Sequence, residues 1–318
     1  MNPSEAGDRP RPIRPSRLVL APSAWAVGPF SNHREHAAPR ELGLDAPLKL
    51  ATSLAAENIG RVRGLVMTYC CGILVRDGLV MIADTRTNAG LDNVSTFRKL
   101  HIFSKPGERI MAIASAGNLA ISQSVLSTLT EGLEDPHTGE LETLMNAPTM
   151  FQAAQRIGRA IRNVHATEGE ALRSEDVSFD VSFLFGGQIK GSKMRLFMVY
   201  TAGNFIECTT DTPYLQIGEH KYGKPVLDRA MHYDVELYEA LKTGLISMDS
   251  TMRSNLGVGL PIDVLVVRAD TCAADLNHRI EADEPYFHDL RSRWSAALRA
   301  AHQSIPRPPY KSETEAKT

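Results

Sequence analysis

Three side chains in the first third of this sequence have the types and spacing to do chemistry together: Thr68, Asp84 and Lys99. Thr68 follows Met67, and a chain that began at Thr68 would carry a hydroxyl nucleophile and a basic α-amine on one residue. An unperturbed α-amine titrates near pH ~8, far below a lysine side chain, so much of it is neutral and basic at cytoplasmic pH. Taken singly, each residue has a plain structural explanation. Threonine favours strands, an acid that ends a strand caps a turn, and a lysine is normally solvated. The spacing joins them. Asp84 lies one short hairpin beyond Thr68, and Lys99 leads into the next strand, so both reach the strand start that carries Thr68. A lysine held beside a buried acid stays charged, orients the hydroxyl and lowers the cost of a developing anion.

The elements that must position these residues are readable in outline. Tyr69–Val75 is an apolar run, Arg76-Asp77-Gly78 a tight turn, and Leu79–Asp84 a second apolar run, the pattern of a hairpin. Further strands are expected at Lys99–Phe103 and Arg109–Ala116. Helical periodicity runs from Asn118 to about Leu133, where Ile121, Val125 and Leu129 share a face, and again from about Met150 to Glu168. Four strands follow at Val181–Gln188, Arg195–Tyr200, Phe205–Thr209 and Tyr214–Gly218, separated by Gly-, Asn- and Pro-containing turns. A helix over about Asp234 to Met252, an apolar strand at Pro261–Arg268 and an amphipathic helix over about Tyr286 to His302 complete the series. Strands, two helices, more strands and more helices predict two sheets stacked between helical layers.

Residues 1–66 differ in kind. Arg9-Pro10-Arg11-Pro12-Ile13-Arg14-Pro15 and a His33-Arg34-Glu35-His36 patch carry no sustained periodicity. Three accounts compete: a propeptide removed to expose Thr68, a start codon assigned too far upstream of Met67, or a disordered extension that leaves Thr68 internal. Methionine is readily trimmed before a small residue, so Met67 favours the second. The expected organisation is therefore 1–66 outside the domain, one domain over 67–303, and a flexible Pro-rich tail over 304–318.

Composition narrows the class. The chain has 318 residues, 43% hydrophobic and 23% charged, with a formal net charge of −2, which argues for an ordinary soluble core and against nucleic acid as partner. No apolar run approaches a membrane span. Cys70, Cys71, Cys208 and Cys272 fit neither a metal knuckle nor a disulfide framework, so reduced thiols in the cytoplasm are expected, with no metal and no cofactor. Cys70 and Cys71 alternate faces on the first strand.

Thr68 at a mature start, Ala83-Asp84-Thr85-Arg86, the Arg98-Lys99 pair and Ala114-Ser115-Ala116-Gly117 resemble the proteasome β-type subunits, N-terminal-nucleophile hydrolases of α+β class with a four-layer αββα sandwich. More closely, Met67-Thr68-Tyr69-Cys70, Asp84-Thr85-Arg86-Thr87-Asn88-Ala89-Gly90, Asp92-Asn93, Thr96-Phe97-Arg98-Lys99 and Ser250-Thr251-Met252-Arg253-Ser254-Asn255-Leu256 are similar to the bacterial proteasome homologues called Anbu, over about Met67 to Asp270. Sequences of that family typically start at this Met-Thr, which adds weight to an upstream-assigned start.

By the resemblance, Thr68 is the nucleophile with its amine as base, Asp84 holds Lys99, and Lys99 tunes the hydroxyl. The Gly117 N–H is an oxyanion-hole donor at a glycine that permits close substrate approach, and Ser115 and Leu119 line the substrate pocket. Arg86 orders a loop, or is a plain surface arginine. Two departures stand out. The glycine-rich turn after the last central strand carries Glu219 where the β subunits have a serine, and their later Asp…Ser pair falls at Ser254 and Gly257. Glu219 either relays a proton or is an unrelated turn residue. The resemblance implies a threonine peptidase acting on a peptide or protein substrate as a homo-oligomer, a ring or an open helical assembly, for which the apolar faces of the first two helices are expected to serve. An ATP-dependent unfoldase is the usual partner of such a chamber, and this chain has no P-loop of its own. A non-proteolytic assembly protein of the same fold and a small-amide amidase remain as alternatives.

Overall fold

The computed structural model describes residues 68–88, 94–135 and 138–310. The expectations for residues 1–66 and for positions 311–318 of the tail lie outside these residues.

The domain opens with β1 (Tyr69–Val75) and β2 (Gly78–Asp84), the expected hairpin, paired antiparallel from Val75↔Gly78 to Cys70↔Ala83. Two short strands follow, β3 (Arg86–Asn88) and β4 (Val94–Thr96), then β5 (Leu100–Lys105) and β6 (Arg109–Gly117). Helix α1 (Leu119–Glu131) is followed by the small β7 (Leu133–Glu134) and β8 (Leu141–Glu142) and by α2 (Met150–Ser174). Next come β9 (Val181–Ile189), β10 (Arg195–Val199), β11 (Phe205–Glu207) and β12 (Tyr214–Gly218). The chain continues through α3 (Lys224–Ala230), α4 (Leu237–Ser254), β13 (Ile262–Arg268), β14 (Ala274–Ile280) and α5 (Pro285–Ser304).

The strands form two main antiparallel sheets, ordered β12-β1-β2-β13-β14 and β11-β10-β9-β6-β5. Side-chain alternation divides the core into three apolar layers. Cys70, Leu79, Met81, Ala83, Leu265 and Val267 of the first sheet meet Leu100, Ile110, Ala112, Ala114, Leu184 and Leu196 of the second, and this is the space between the sheets. The other faces of β1, β2 and β13 pack under α4 and α5 through Cys71, Ile73, Ile82, Val264, Leu241, Met248 and Phe287. Met111, Ile113, Phe183, Phe185 and Phe197 pack under α1 and α2. The order is helices, sheet, sheet, helices, the αββα sandwich expected. Central strands covered on both faces explain why β1 and β2 read as continuous apolar runs rather than as alternation.

The packing corrects one expectation. Ile121, Val125, Leu126 and Leu129 of α1, with Ile157, Ile161 and Val164 of α2, are spent on the second sheet, so these faces are not free for self-association. Among the described residues four features went unread in the sequence, one of them the pair of two-residue strands β7 and β8. α3 has seven residues, the β3–β4 hairpin is short, and β14 is an edge strand whose Ala274-Asp275-Leu276-Asn277-His278-Arg279-Ile280 is mostly exposed and carries little apolar signal. No helix of the described residues is long and apolar enough to cross a membrane.

Candidate active site

Thr68 immediately precedes β1 and is buried. Its carbonyl accepts the Glu219 N–H at 2.7 Å, one step beyond the β1–β12 ladder, whose last pair is Tyr69↔Gly218. Gly218 makes that approach possible. Its φ is +80°, and a Cβ there would stand 2.0 Å from the Thr68 carbonyl oxygen, so no other residue fits.

Asp84 ends β2, fully buried, and Lys99 enters β5 with only 4% exposure. Lys99 Nζ donates to Asp84 Oδ1 at 2.9 Å and to the Arg86 carbonyl at 2.6 Å, which occupies two of its three ammonium protons. Asp84 Oδ1 also accepts the Tyr69 N–H at 3.0 Å. One carboxylate oxygen thus ties the residue next to Thr68 to the lysine ammonium. The other, Oδ2, completes no hydrogen bond among the described residues, although the Gly259 N–H acts on the carboxylate's charge. Burial raises the Asp84 pKa from the ordinary aspartate value, opposed by the Lys99 charge and by these N–H donors.

The remaining residues singled out in the sequence fall into place unevenly. Ser115 is buried on β6, where its N–H donates to the Lys99 carbonyl at 3.1 Å and its carbonyl accepts the Cys70 thiol at 3.6 Å. Gly117 ends β6 at φ +105°, and a Cβ there would stand 2.3 Å from the Asp180 carbonyl oxygen. The backbone of the segment before β9 therefore demands this glycine, quite apart from any approach of substrate. Leu119 is the half-buried first residue of α1, just after Asn118, whose side chain caps the helix by accepting from Ala120 and Ile121. Arg86 donates from Nη1 to the Leu256 carbonyl at 2.9 Å and its guanidinium lies against Gly259, so it is engaged with the loop after α4. Ser254 is exposed at the end of α4. The next residue, Asn255, is buried in its stead, and its Nδ2 donates to Glu219 Oε2 at 3.4 Å.

Asn255 and Gly218 are the site residues that the sequence reading passed over. The glycine had a signal, since a Gly closing an apolar strand marks a conformation other residues avoid. Asn255 lies inside the Ser250–Leu256 block of the resemblance, but only the fold brings it to Glu219. Both cysteines on β1 are wholly buried, Cys70 between the sheets and Cys71 under the helices, and burial raises both thiol pKa values, that of Cys71 to about 12. Neither offers a thiolate nucleophile at neutral pH. A groove of about 660 Å³ starts at Arg98 and Leu100, which flank Lys99, and continues past His101 to Leu126, Glu131 and Asn277. Among the described residues no three His, Cys, Asp or Glu side chains are grouped to hold a metal ion.

The chain has similar counterparts among known proteins. No family model matches the chain. A Gly-1 mutant of Anbu from Hyphomicrobium sp. strain MC1 is 47% identical, with a TM-score of 0.70, over 76% of this chain and 100% of that one. A structure described as the helical assembly of the Anbu complex from Pseudomonas aeruginosa is 42% identical, with a TM-score of 0.70, over 76% of this chain and 98% of that one. Proteasome subunit beta 1 of Pyrobaculum arsenaticum is 24% identical over 208 residues, 63% of this chain and 90% of the relative.

Proposed function

The chain belongs to the Anbu family of proteasome-like proteins with the N-terminal-nucleophile hydrolase fold, and from that premise we propose that it is a threonine hydrolase that cleaves an amide, peptide bonds first among them, with Thr68 exposed as its first residue. The observation that carries the reading is the shared oxygen of Asp84, which holds Lys99 Nζ at 2.9 Å and the Tyr69 N–H at 3.0 Å beside Thr68.

In this reading the Thr68 hydroxyl attacks the amide carbonyl while its own α-amine, directly or through water, takes the hydroxyl proton. The Lys99 ammonium, kept charged by Asp84, lowers the cost of the forming alkoxide. The Gly117 N–H faces the oxyanion, and Ser115 and Leu119 border the substrate side chain. The proton on the α-amine passes to the leaving amine, which leaves an ester on Thr68 Oγ. Water then attacks that ester, the acid departs, and the hydroxyl and amine are restored. No cofactor or metal enters these steps. The active form is a cytoplasmic homo-oligomer, in keeping with the helical assembly described for the Pseudomonas aeruginosa relative. An unfoldase would feed a chamber of this kind.

The test is intact mass and N-terminal sequencing of protein from its native host, followed by a peptide and small-amide screen of wild type and Thr68→Ala. A chain that starts at Thr68 and hydrolyses substrate, with activity lost and assembly kept in Thr68→Ala, supports the reading. A chain that retains residues before Thr68 has its amine locked in a peptide bond and fails it. A second reading, a non-catalytic assembly protein, draws on Glu219 and Asn255, an outer shell unlike that of the β subunits. It predicts the same assembly and cellular phenotype for wild type and Thr68→Ala.

A further inference from the structure

Two chains of contacts leave the loop after α4 and end at the two sides of the Thr68 site. On one side Asn255 Nδ2 donates to Glu219 Oε2 at 3.4 Å, and the Glu219 N–H donates to the Thr68 carbonyl at 2.7 Å. On the other side Arg86 Nη1 donates to the Leu256 carbonyl at 2.9 Å, and the Arg86 carbonyl accepts Lys99 Nζ at 2.6 Å. The loop between these anchors is tied to itself. The Gly257 N–H donates to Asn255 Oδ1 at 2.9 Å, the Val258 N–H to the Asn255 carbonyl at 3.1 Å, and Gly259 lies directly against the Arg86 guanidinium. Asn255 is buried and also stops α4 by donating its N–H to the Thr251 carbonyl at 2.9 Å.

We propose that residues 255–259 form a clamp that sets the position of Thr68 relative to Lys99, with Asn255 and Arg86 as its positioning residues. The inference rests on the hydrolase reading for its effect on turnover, but the clamp itself is a statement about two contact chains and is measurable without turnover. Asn255 acts through Glu219 on the Thr68 carbonyl, and Arg86 acts through its own carbonyl on the Lys99 ammonium. Both ends are short and charge-assisted or backbone-borne, so a loosened loop misplaces the hydroxyl against its lysine. Errors of about 1 Å in such an arrangement cost on the order of 10²-fold in rate. The loop also presents Leu256, 86% exposed, at its apex, while the carbonyl of the same residue is held by Arg86.

Asn255→Asp separates the clamp from the fold. It keeps the Oδ1 acceptor for Gly257 and the size of the side chain, and replaces the donor that faces Glu219 with a second acceptor. The measurement is amide hydrogen exchange at Glu219 by mass spectrometry on protein purified from its native host, together with kcat and KM on any amide that the wild type turns over. The expected result is exchange at Glu219 faster by roughly tenfold and a fall in kcat with KM little changed. Combining Asn255→Asp with Glu219→Gln interchanges donor and acceptor, and both readouts return toward wild type. Arg86→Lys, which removes the forked guanidinium from Leu256 and Gly259, lowers kcat in the same way. Unchanged Glu219 exchange in folded Asn255→Asp protein overturns the clamp, as does an Asn255→Asp defect that the Glu219→Gln exchange fails to relieve. If wild-type protein that starts at Thr68 hydrolyses nothing, the hydrolase reading fails alone, and the exchange data still decide the clamp.

Discussion

Two fully buried carboxylates in this domain have opposite fates. Asp249, in the C-terminal third of α4, receives Arg291 Nε on Oδ1 at 2.6 Å and Arg253 Nε on Oδ2 at 3.1 Å, and so pins α5 to α4 with both oxygens engaged. Asp84 receives a lysine and a backbone N–H on one oxygen and leaves the other without a complete hydrogen bond among the described residues. The arginines of Asp249 run out to solvent, whereas Lys99 is itself buried. A saturated carboxylate between helices is a tether. An under-satisfied one, buried with a lysine against the Tyr69 N–H that follows Thr68, is a place where burial cost is tolerated for chemistry.

The contrast predicts a ranking. Thr68→Ala should remove hydrolysis by at least ~10³-fold while thermal unfolding stays near wild type, checked by turnover and calorimetry. Comparable residual activity would take the Asp84 region out of catalysis and leave it a second tether. Next, Lys99→Met should unfold the domain more easily by about 3–5 kcal/mol, because it strands a buried carboxylate. Adding Asp84→Asn should recover most of that stability, since the amide oxygen still accepts the Tyr69 N–H, without recovering activity. Recovery of both in the double variant would mean the pair is structural, like Asp249.

Asp249→Asn should cost about 1–3 kcal/mol in denaturant unfolding and leave kcat and KM unchanged. A loss of turnover as large as at Lys99 would erase the distinction between the two carboxylates. The smallest effect concerns pH. Burial raises the Asp84 pKa, so the fold favours its protonated form more than the unfolded chain does. The resulting stability is fully present below the unfolded pKa and is lost as pH rises through the folded one. Activity runs the other way, because protonation removes the counter-charge of Lys99. Acidification should therefore lower turnover at a higher pH than an ordinary aspartate would, while the stability of wild type relative to Asp84→Asn rises. Parallel loss of both would show that the carboxylate ionises as a normal stabilising acid.

The legibility of this protein follows the range of the interactions involved. The hairpin that carries Thr68 and Asp84 was readable because its strands are adjacent in sequence and apolar on both faces, and α1 because Ile121, Val125 and Leu129 repeat at helical spacing. The family resemblance rested on blocks that recur in order, and the structural relatives bear it out. Gly117 meets a further demand that the sequence did not show, since the carbonyl that excludes a Cβ belongs to Asp180, more than sixty residues along the chain. β14 was invisible because an exposed edge strand needs no apolar pattern to be held by its neighbour β13.

By itself, then, the sequence determined the residue types at Thr68, Asp84 and Lys99, the paired strands that bring the first two within one hairpin, and the layered α+β class, all consequences of local periodicity and short-range turns. Only the tertiary structure decided which oxygen of Asp84 the lysine and the Tyr69 N–H share, that Asn255 rather than Ser254 faces Glu219, and that Arg86 reaches Leu256. Those contacts join residues 15, 36 and 170 positions apart. Their geometry depends on how two sheets and a loop settle against one another, and no pattern within a strand or helix encodes it.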